Sequence, residues 1–347
     1  MSKLLFAGCR SDSVTVTAGT ISEDTAYIDP AYSDAGVNFG SAGSIAVNFY
    51  DPAAAPALVR YSVGVGHTLY WHATIGMNFD SGFVGSCITF YDSADYPWLR
   101  MLWGGQLQYN HGSGGGPVWA NIGVNTYGQP GSNRRVAPWD IIVTIDAGGA
   151  HSVAMGISGN PIIARVGFNQ PLMTNLAYAI LESIDGPGRP PPKVETVLSE
   201  ILVTEDLSTV NAHVFTRRAT GAGAHSQWTG TYADVNEVIT DDSTANTATA
   251  AGLLQSYPMS NIALPDGYEI LGAFHWLRGK NSGTAPANLQ SLIRGGDGVD
   301  HQTGNLSGID VLFGHFGARY NVDPATGLQW TAAGWNAPVQ LGFVSEA

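Results

Sequence analysis

Apolar and polar residues alternate in short runs along this chain, and turn-forming residues separate the runs at intervals of roughly 8 to 12 residues. Ser44–Tyr50 shows the pattern well and stops at Asp51-Pro52. The same rhythm predicts strands at Val14–Thr17, Thr68–Met77, Ser86–Tyr91, Leu99–Trp103, Gln106–Tyr109, Asp140–Ile145, His151–Ile157, Pro161–Val166 and Thr196–Thr204. Later strands are expected at His213–Arg217, Val235–Ile239, Gly252–Tyr257, Tyr268–Arg278, Asn288–Arg294, Val311–His315 and Val339–Val344. Glycines in Trp103–Gln106 and Asp146–Ala150 supply the positive φ that hairpins need. Ala245–Leu254, with four alanines, is the one segment that suits a helical turn, capped by Asp242 or Ser243.

A period of two with tight turns is the rhythm of sandwiches and jelly rolls. The expected class is therefore all-β, with two β-sandwich (jelly-roll-like) domains at residues 1–208 and 209–347. The three consecutive prolines of Gly186–Lys193 cannot lie inside a sheet, so this segment reads as a surface excursion of the first domain.

Composition supports that class and removes several functions. The chain of 347 residues has 44 glycines, 12% charged residues and 10% aromatics, which suits strands and turns over helices. Its net charge of −13 includes only three lysines (Lys3, Lys193 and Lys280), and Arg134-Arg135 and Arg217-Arg218 are isolated doublets. A nucleic-acid partner needs a basic footprint, and an anionic membrane surface attracts basic clusters; neither partner is expected. The apolar run at Leu4–Ala7 is broken by Gly8, Arg10 and Asp12, so the start reads as a first strand and not as a signal segment. Cys9 and Cys87 are too few for a disulfide framework and read as buried thiols.

Two blocks carry a resemblance. Gln227-Trp-Thr-Gly230 is followed by Asp234–Glu237 and Asp241–Thr244; the chain then ends on Asn321–Thr331, Trp335-Asn336 and Leu341–Val344. With Leu198–Asp206, Asp266–Tyr268 and Leu292–Gly296, this set resembles structural proteins of tailed phages and phage-like particles. There a concanavalin-like (laminin-G-like) sandwich precedes a C-terminal β-module. The resemblance spans residues 196–347 and reaches residues 1–195 only through their strand rhythm. It implies a virion component made without a signal peptide: a fibre or spike subunit, or a capsid or tail decoration. Its implied partners are other virion proteins, with host surface polysaccharide for a receptor-binding fibre, and its implied assembly is a homo-oligomer, a trimer first.

For sugar binding, aromatic planes stack on apolar sugar faces while amides and carboxylates bond the hydroxyls. The expected set is Trp98, Trp103, Trp119 and Tyr109 with Asp92, Asp95, Asn110 and Asn121, against a competing role of the aromatics in core and interfaces. A zinc site would need converging Cys or His ligands; His67 with Trp71-His72 is the densest His grouping. The acidic loops at Asp241-Asp242 and Asp297–Asp300 lack a full calcium pattern. Carboxylates such as Glu200, Glu205 and Asp206 could pair for hydrolysis only if the fold joined them. Ser113 lacks the glycine two residues before it that a nucleophile elbow requires. No catalytic site, metal or cofactor is expected. The readings that follow are an exposed fibre or spike that binds glycan, a ligand-free decoration protein, and, third, a polysaccharide depolymerase.

Overall fold

A computed structural model describes residues 3–8, 15–16, 20–24, 44–49, 57–78, 86–102, 106–112, 116–123, 136–157, 159–183, 194–236, 242–261, 263–264, 266–283, 286, 288–304, 306, 309, 311–336 and 339–346. The chain divides into two compact units, Met1–Val214 and Phe215–Ala347. Both are antiparallel β-structures of sandwich type, so the all-β class holds.

The first unit contains β1 (Lys3–Gly8), β2 (Thr15–Val16), β3 (Thr20–Asp24), β4 (Ser44–Phe49), β5 (Ala57–Gly64), β6 (His67–Asn78), β7 (Ser86–Tyr91) and β8 (Pro97–Leu102). It continues through β9 (Gln106–Asn110), β10 (Trp119–Ile122), β11 (Val136–Ile145), β12 (Ala150–Ile157), β13 (Asn160–Asn169), β14 (Asn175–Ser183) and β15 (Val194–Glu205). The larger sheet runs β13-β12-β11-β6-β15-β4-β3, with β1 also on β15; the smaller runs β10-β9-β8-β7-β14-β5-β2. Odd-numbered residues of β6, β11 and β12 (Leu69, Trp71, Ala73, Ile141, Val143, Val153, Met155) are buried, as a strand's period of two requires of its core face. Across the interior they meet Ile88, Phe90, Leu99, Met101 and Leu107 of the smaller sheet. Trp71 packs edge-on against Phe90 at 5.8 Å between ring centroids. Trp71 and Trp139 are therefore core residues.

The hairpin expected at Asp146–Ala150 joins β11 and β12. Asp146 Oδ1 accepts from Gly148 N at 2.7 Å, and Gly149 takes φ +79°. The strand β15 breaks its ladder with β6 between Ser199 and Leu202, where Glu200 adopts φ +52°. A bulge of this kind bends the strand and re-aims a side chain. The Trp103–Gly105 turn, the Pro190–Pro192 run, Ser113, Cys9 and the Cys87 side chain lie outside the described residues.

The second unit holds β16 (Leu254–Pro258), β17 (Ala273–Gly279), β18 (Asn288–Arg294), β19 (Asp300–Gln302), β20 (Gly314–Tyr320) and β21 (Gln340–Glu346), with a short helix α1 (Ala332–Asn336). One sheet runs β16-β21-β18-β19 and the other pairs β17 with β20. Ala273, Ile293, Ala318, Tyr320, Trp330, Val339 and Leu341 make its core, with Trp335 packed against them. Arg217 clamps this region: its guanidinium donates to the carbonyls of Met259, Ser260 and Trp335 and lies 5.1 Å from the Trp335 ring. Burial lowers its pKa to about 10.

Several expectations for residues 213–254 differ from the structure. Ala245–Leu254 forms no helix, because Thr247 exchanges two backbone hydrogen bonds with Thr229 and Asn246 donates to the Thr231 carbonyl. Asp242 takes a two-point contact from Arg278 and caps nothing. His213–Arg217 belongs to no strand, and Val235 ends a 3-10 turn (Tyr232–Asp234) capped by Thr231, while Glu237–Ile239 lie outside the described residues.

Candidate functional site: the outer face of the smaller sheet

The registers of β8, β9 and β10 place Arg100 opposite Gln108 and Gln108 opposite Asn121. These side chains form a row across three strands, on the face turned away from Phe90, Leu99 and Leu107. Arg100 Nε donates to Gln108 Oε1 at 2.7 Å, and Gln108 Nε2 donates to Asn121 Oδ1 at 2.8 Å. Each amide thus orients the next. Trp119, two residues before Asn121 in β10, shares the face, and the Arg100 guanidinium carbon lies 4.2 Å from its ring centroid. Stacked indole and guanidinium make a flat amphipathic platform. Neighbouring strands lie about 4.8 Å apart, so the row offers polar groups at regular intervals along a line perpendicular to the strands.

The sequence-expected residues divide. Trp119 and Asn121 belong to this face, and Asn121 is exposed. Trp98 is buried, and its indole N–H donates to Asp92 Oδ2 at 2.9 Å. The other Asp92 oxygen accepts from Ala94 N and Tyr96 N, so this carboxylate builds the β7–β8 turn. Asn110 is fully buried: Oδ1 accepts from Gly112 N and Val118 N, and Nδ2 donates to the Pro97 carbonyl. Asp95 accepts from the Tyr178 hydroxyl at 2.6 Å. Tyr109 packs against Phe168 of the larger sheet at 5.3 Å. Trp103 lies outside the described residues. Sequence reading passed over Arg100 and Gln108, although alternation within Pro97–Leu102 and Gln106–Asn110 puts both outward with Asn121.

Two further polar clusters lie on the larger sheet. At one end, His67 Nδ1 bonds Asp206 Oδ2 at 2.6 Å and stands 3.8 Å from Glu205 Oε1. Their donor atoms lie close enough for one metal ion. The Lys3 ammonium, however, sits 2.9 Å from Glu205 Oε1 and already supplies the balancing charge. Burial opposes ionisation of Asp206, but hydrogen bonds from His67 and Thr68 outweigh it and hold the carboxyl below its ordinary pKa. This cluster is a charge-compensated cap on the strand ends. The second cluster, buried, joins His72 Nδ1 to Asp140 Oδ1 at 2.9 Å and Thr74 Oγ1 to Glu200 Oε2 at 3.0 Å. The carboxylates Glu200, Glu205 and Asp206, close in sequence, thus enter two different clusters, and the candidates Asp92 and Asp95 are both committed to turn and side-chain contacts.

In the second unit, His275 Nδ1 meets Ser291 Oγ at 2.6 Å, and Ser291 Oγ meets the Tyr320 hydroxyl at 2.8 Å. Ser291 is fully buried, so this chain is internal scaffolding. Burial lowers the His275 pKa to about 4 and raises that of Tyr320 to about 12.

No known family profile matches the chain, and no curated protein matches its sequence. Solved structures of similar fold include an endo-β-1,4-glucuronan lyase from the fungus Trichoderma reesei, with 9% identity and a TM-score of 0.40 over 58% of this chain and 95% of that one. The lectin UEA-II, complexed with galactose, has 9% identity and a TM-score of 0.35 over 60% of this chain and 99% of that one. A chain of botulinum neurotoxin type C, whose cell entry depends upon interaction with two ganglioside molecules, covers 99% of this chain and 98% of its own, at 9% identity and a TM-score of 0.40. Likeness at this level carries no argument about ligand or activity.

Proposed function

We propose that this protein is a glycan-binding β-sandwich component of a phage or phage-like particle, an exposed fibre or spike subunit that binds without cleaving. The observation that carries the binding site is the hydrogen-bonded row Arg100–Gln108–Asn121 beside Trp119 on an outward sheet face. Amides held in register can meet sugar hydroxyls at fixed spacing, and the indole platform suits the apolar face of a pyranose. The particle setting rests on the resemblance of Gln227–Gly230 and Asn321–Thr331, with the lysine-poor composition consistent with neutral glycan or protein contacts. A trimer is the proposed assembly, to be read by sedimentation equilibrium.

The test is binding of labelled protein to host cells with and without their surface polysaccharide. Binding should vanish with the polysaccharide, and Trp119→Ala and Gln108→Ala should each weaken it about tenfold, equivalent to roughly 1.4 kcal/mol. Undiminished binding by both variants would remove the row as the site. Release of new reducing ends would instead make the protein a depolymerase.

A second reading, a decoration protein that only packs on the particle, is favoured by exposed apolar side chains in the second unit. Val311, Leu312 and Leu328 are 63%, 73% and 70% exposed, apolar surface that packing on a particle would cover. Loss of particle stability without the protein, together with no cell binding, would select it.

A further inference from the structure

The face of the larger sheet that points away from the core should be solvated, yet its centre is buried and polar. His72, Thr74, Asp140, Glu200 and Thr209 are each at most 2% exposed. Among the described residues, the segment 206–214 reaches these groups. It leaves the sheet with Asp206 N donating to the Thr68 carbonyl, and the Thr204 hydroxyl donates to the Leu207 carbonyl. Thr209 Oγ1 then donates to Asp140 Oδ1 at 3.2 Å, and Ala212 N closes a turn on Thr209 O, with Asn211 at φ +61°. The segment returns to β15, where Val214 N donates to Glu200 Oε1 at 3.3 Å and His213 Nδ1 lies 3.5 Å from the same oxygen.

We infer that residues 206–214 form a proton-operated strap, held on the larger sheet by the His213–Glu200 contact and loosened when His213 loses its proton. Two features make this seam a switch and not a permanent weld. First, its hydrogen bonding is incomplete: His72 Nε2 and Asp140 Oδ2 are buried without a partner, and a partly satisfied network is costly to keep closed. Second, Glu200 itself takes the positive φ at the β15 bulge, a strained conformation that what its carboxylate binds must offset.

The charge bookkeeping is local. Glu200 faces His213 from β15, with the Thr74 hydroxyl of β6 on its other oxygen. The remaining ionisable pair facing the strap is His72 (β6) with Asp140 (β11), and the strap begins at the separate cluster of His67, Glu205, Asp206 and Lys3. The Glu200 carboxylate raises the His213 pKa above its ordinary value, against burial, which lowers it. A group whose folded-state pKa is raised stabilises the closed form below its unfolded pKa. That contribution is lost as pH rises through the folded pKa. The strap is therefore tightest in mild acid and slackens on the alkaline side.

Hydrogen–deuterium exchange of the full chain tests this, with rates corrected for intrinsic pH dependence. Protection of residues 207–214 should fall severalfold as pH rises from about 6 to about 8.5, the range around the imidazole's ordinary pKa of about 6.5. In His213→Gln and in Glu200→Gln the protection should be lower and flat across that range. Protection that stays constant or rises with pH in the wild-type chain would overturn the proposal. So would a pH response retained in His213→Gln, which would move the switch to His67 and Asp206. An NMR titration of the wild-type His213 ring decides independently of whether either variant folds. A pKa at or below the ordinary histidine value would overturn the proposal, and one above it would support it.

Discussion

Several polar side chains that look like ligand contacts in the sequence are structural at the level of the single residue. Trp98 shows this well: its ring is in the core and its N–H is committed to Asp92. Trp98→Phe should leave the proposed glycan binding of the folded protein unchanged and destabilise the first unit by about 1–3 kcal/mol, the cost of stranding a buried acceptor. Urea denaturation reads that loss. His275 sets a different expectation. Its pKa in the folded chain is about 4 against about 6.5 unfolded, so protons bind the unfolded state more readily as pH falls. Its depressed value means that stability is untouched above about pH 6.5 and declines towards pH 4, by roughly 3 kcal/mol in all. Melting curves of the second unit's aromatic signal across that range should show the decline, and His275→Gln should remove most of its slope.

Glycines decide how closely strands approach at the level of the element. A methyl group at Gly342 of β21 would run into the carbonyl oxygen of Gln255 in β16, whereas one at Gly317 of β20 would meet the Phe274 ring. Backbone in a ladder cannot step aside, while a ring can turn. Gly342→Ala should therefore cost more than Gly317→Ala, with overpacking penalties of about 1–3 kcal/mol as the scale. Chemical denaturation of the two variants side by side checks the order, and equal losses would count against it. The same scale separates expectations that held from those that failed. Asn288–Arg294 and Ser86–Tyr91 were legible as strands because each is a short run with apolar residues, bounded by turn-forming residues. Ala245–Leu254 misled because helix propensity is weaker than the tertiary hydrogen bonds that Thr229 and Thr231 offer it.

The acidic balance governs expected behaviour at the scale of the whole molecule. A net charge of −13 should prevent measurable association with duplex DNA at about 0.15 M salt, because phosphate contacts are what supply such binding. Fluorescence anisotropy with a labelled duplex checks this, and salt-sensitive binding would reveal a basic patch that composition hides. No helix among the described residues is long and apolar enough to cross a membrane. The two compact units each carry their own sheets, and the Arg100–Gln108–Asn121 row, the segment 206–214 and the His67 cluster all belong to the first.

Local chemistry was enough to establish the all-β class and the hairpin at Asp146–Ala150. A period of two and a glycine with positive φ express themselves within a few residues. Which polar groups stand free was a matter for the tertiary structure. Asp92 and Asn110 read like sugar ligands until the turns they hold are seen, and Arg100 and Gln108 become a site only through their register with Asn121. Glu200, His213, His72 and Asp140 are separated by up to 141 residues, the span from His72 to His213, and only the pairing of β15, β6 and β11 brings their elements together. Burial and strand register depend on distant partners, and a pattern read along one strand contains neither.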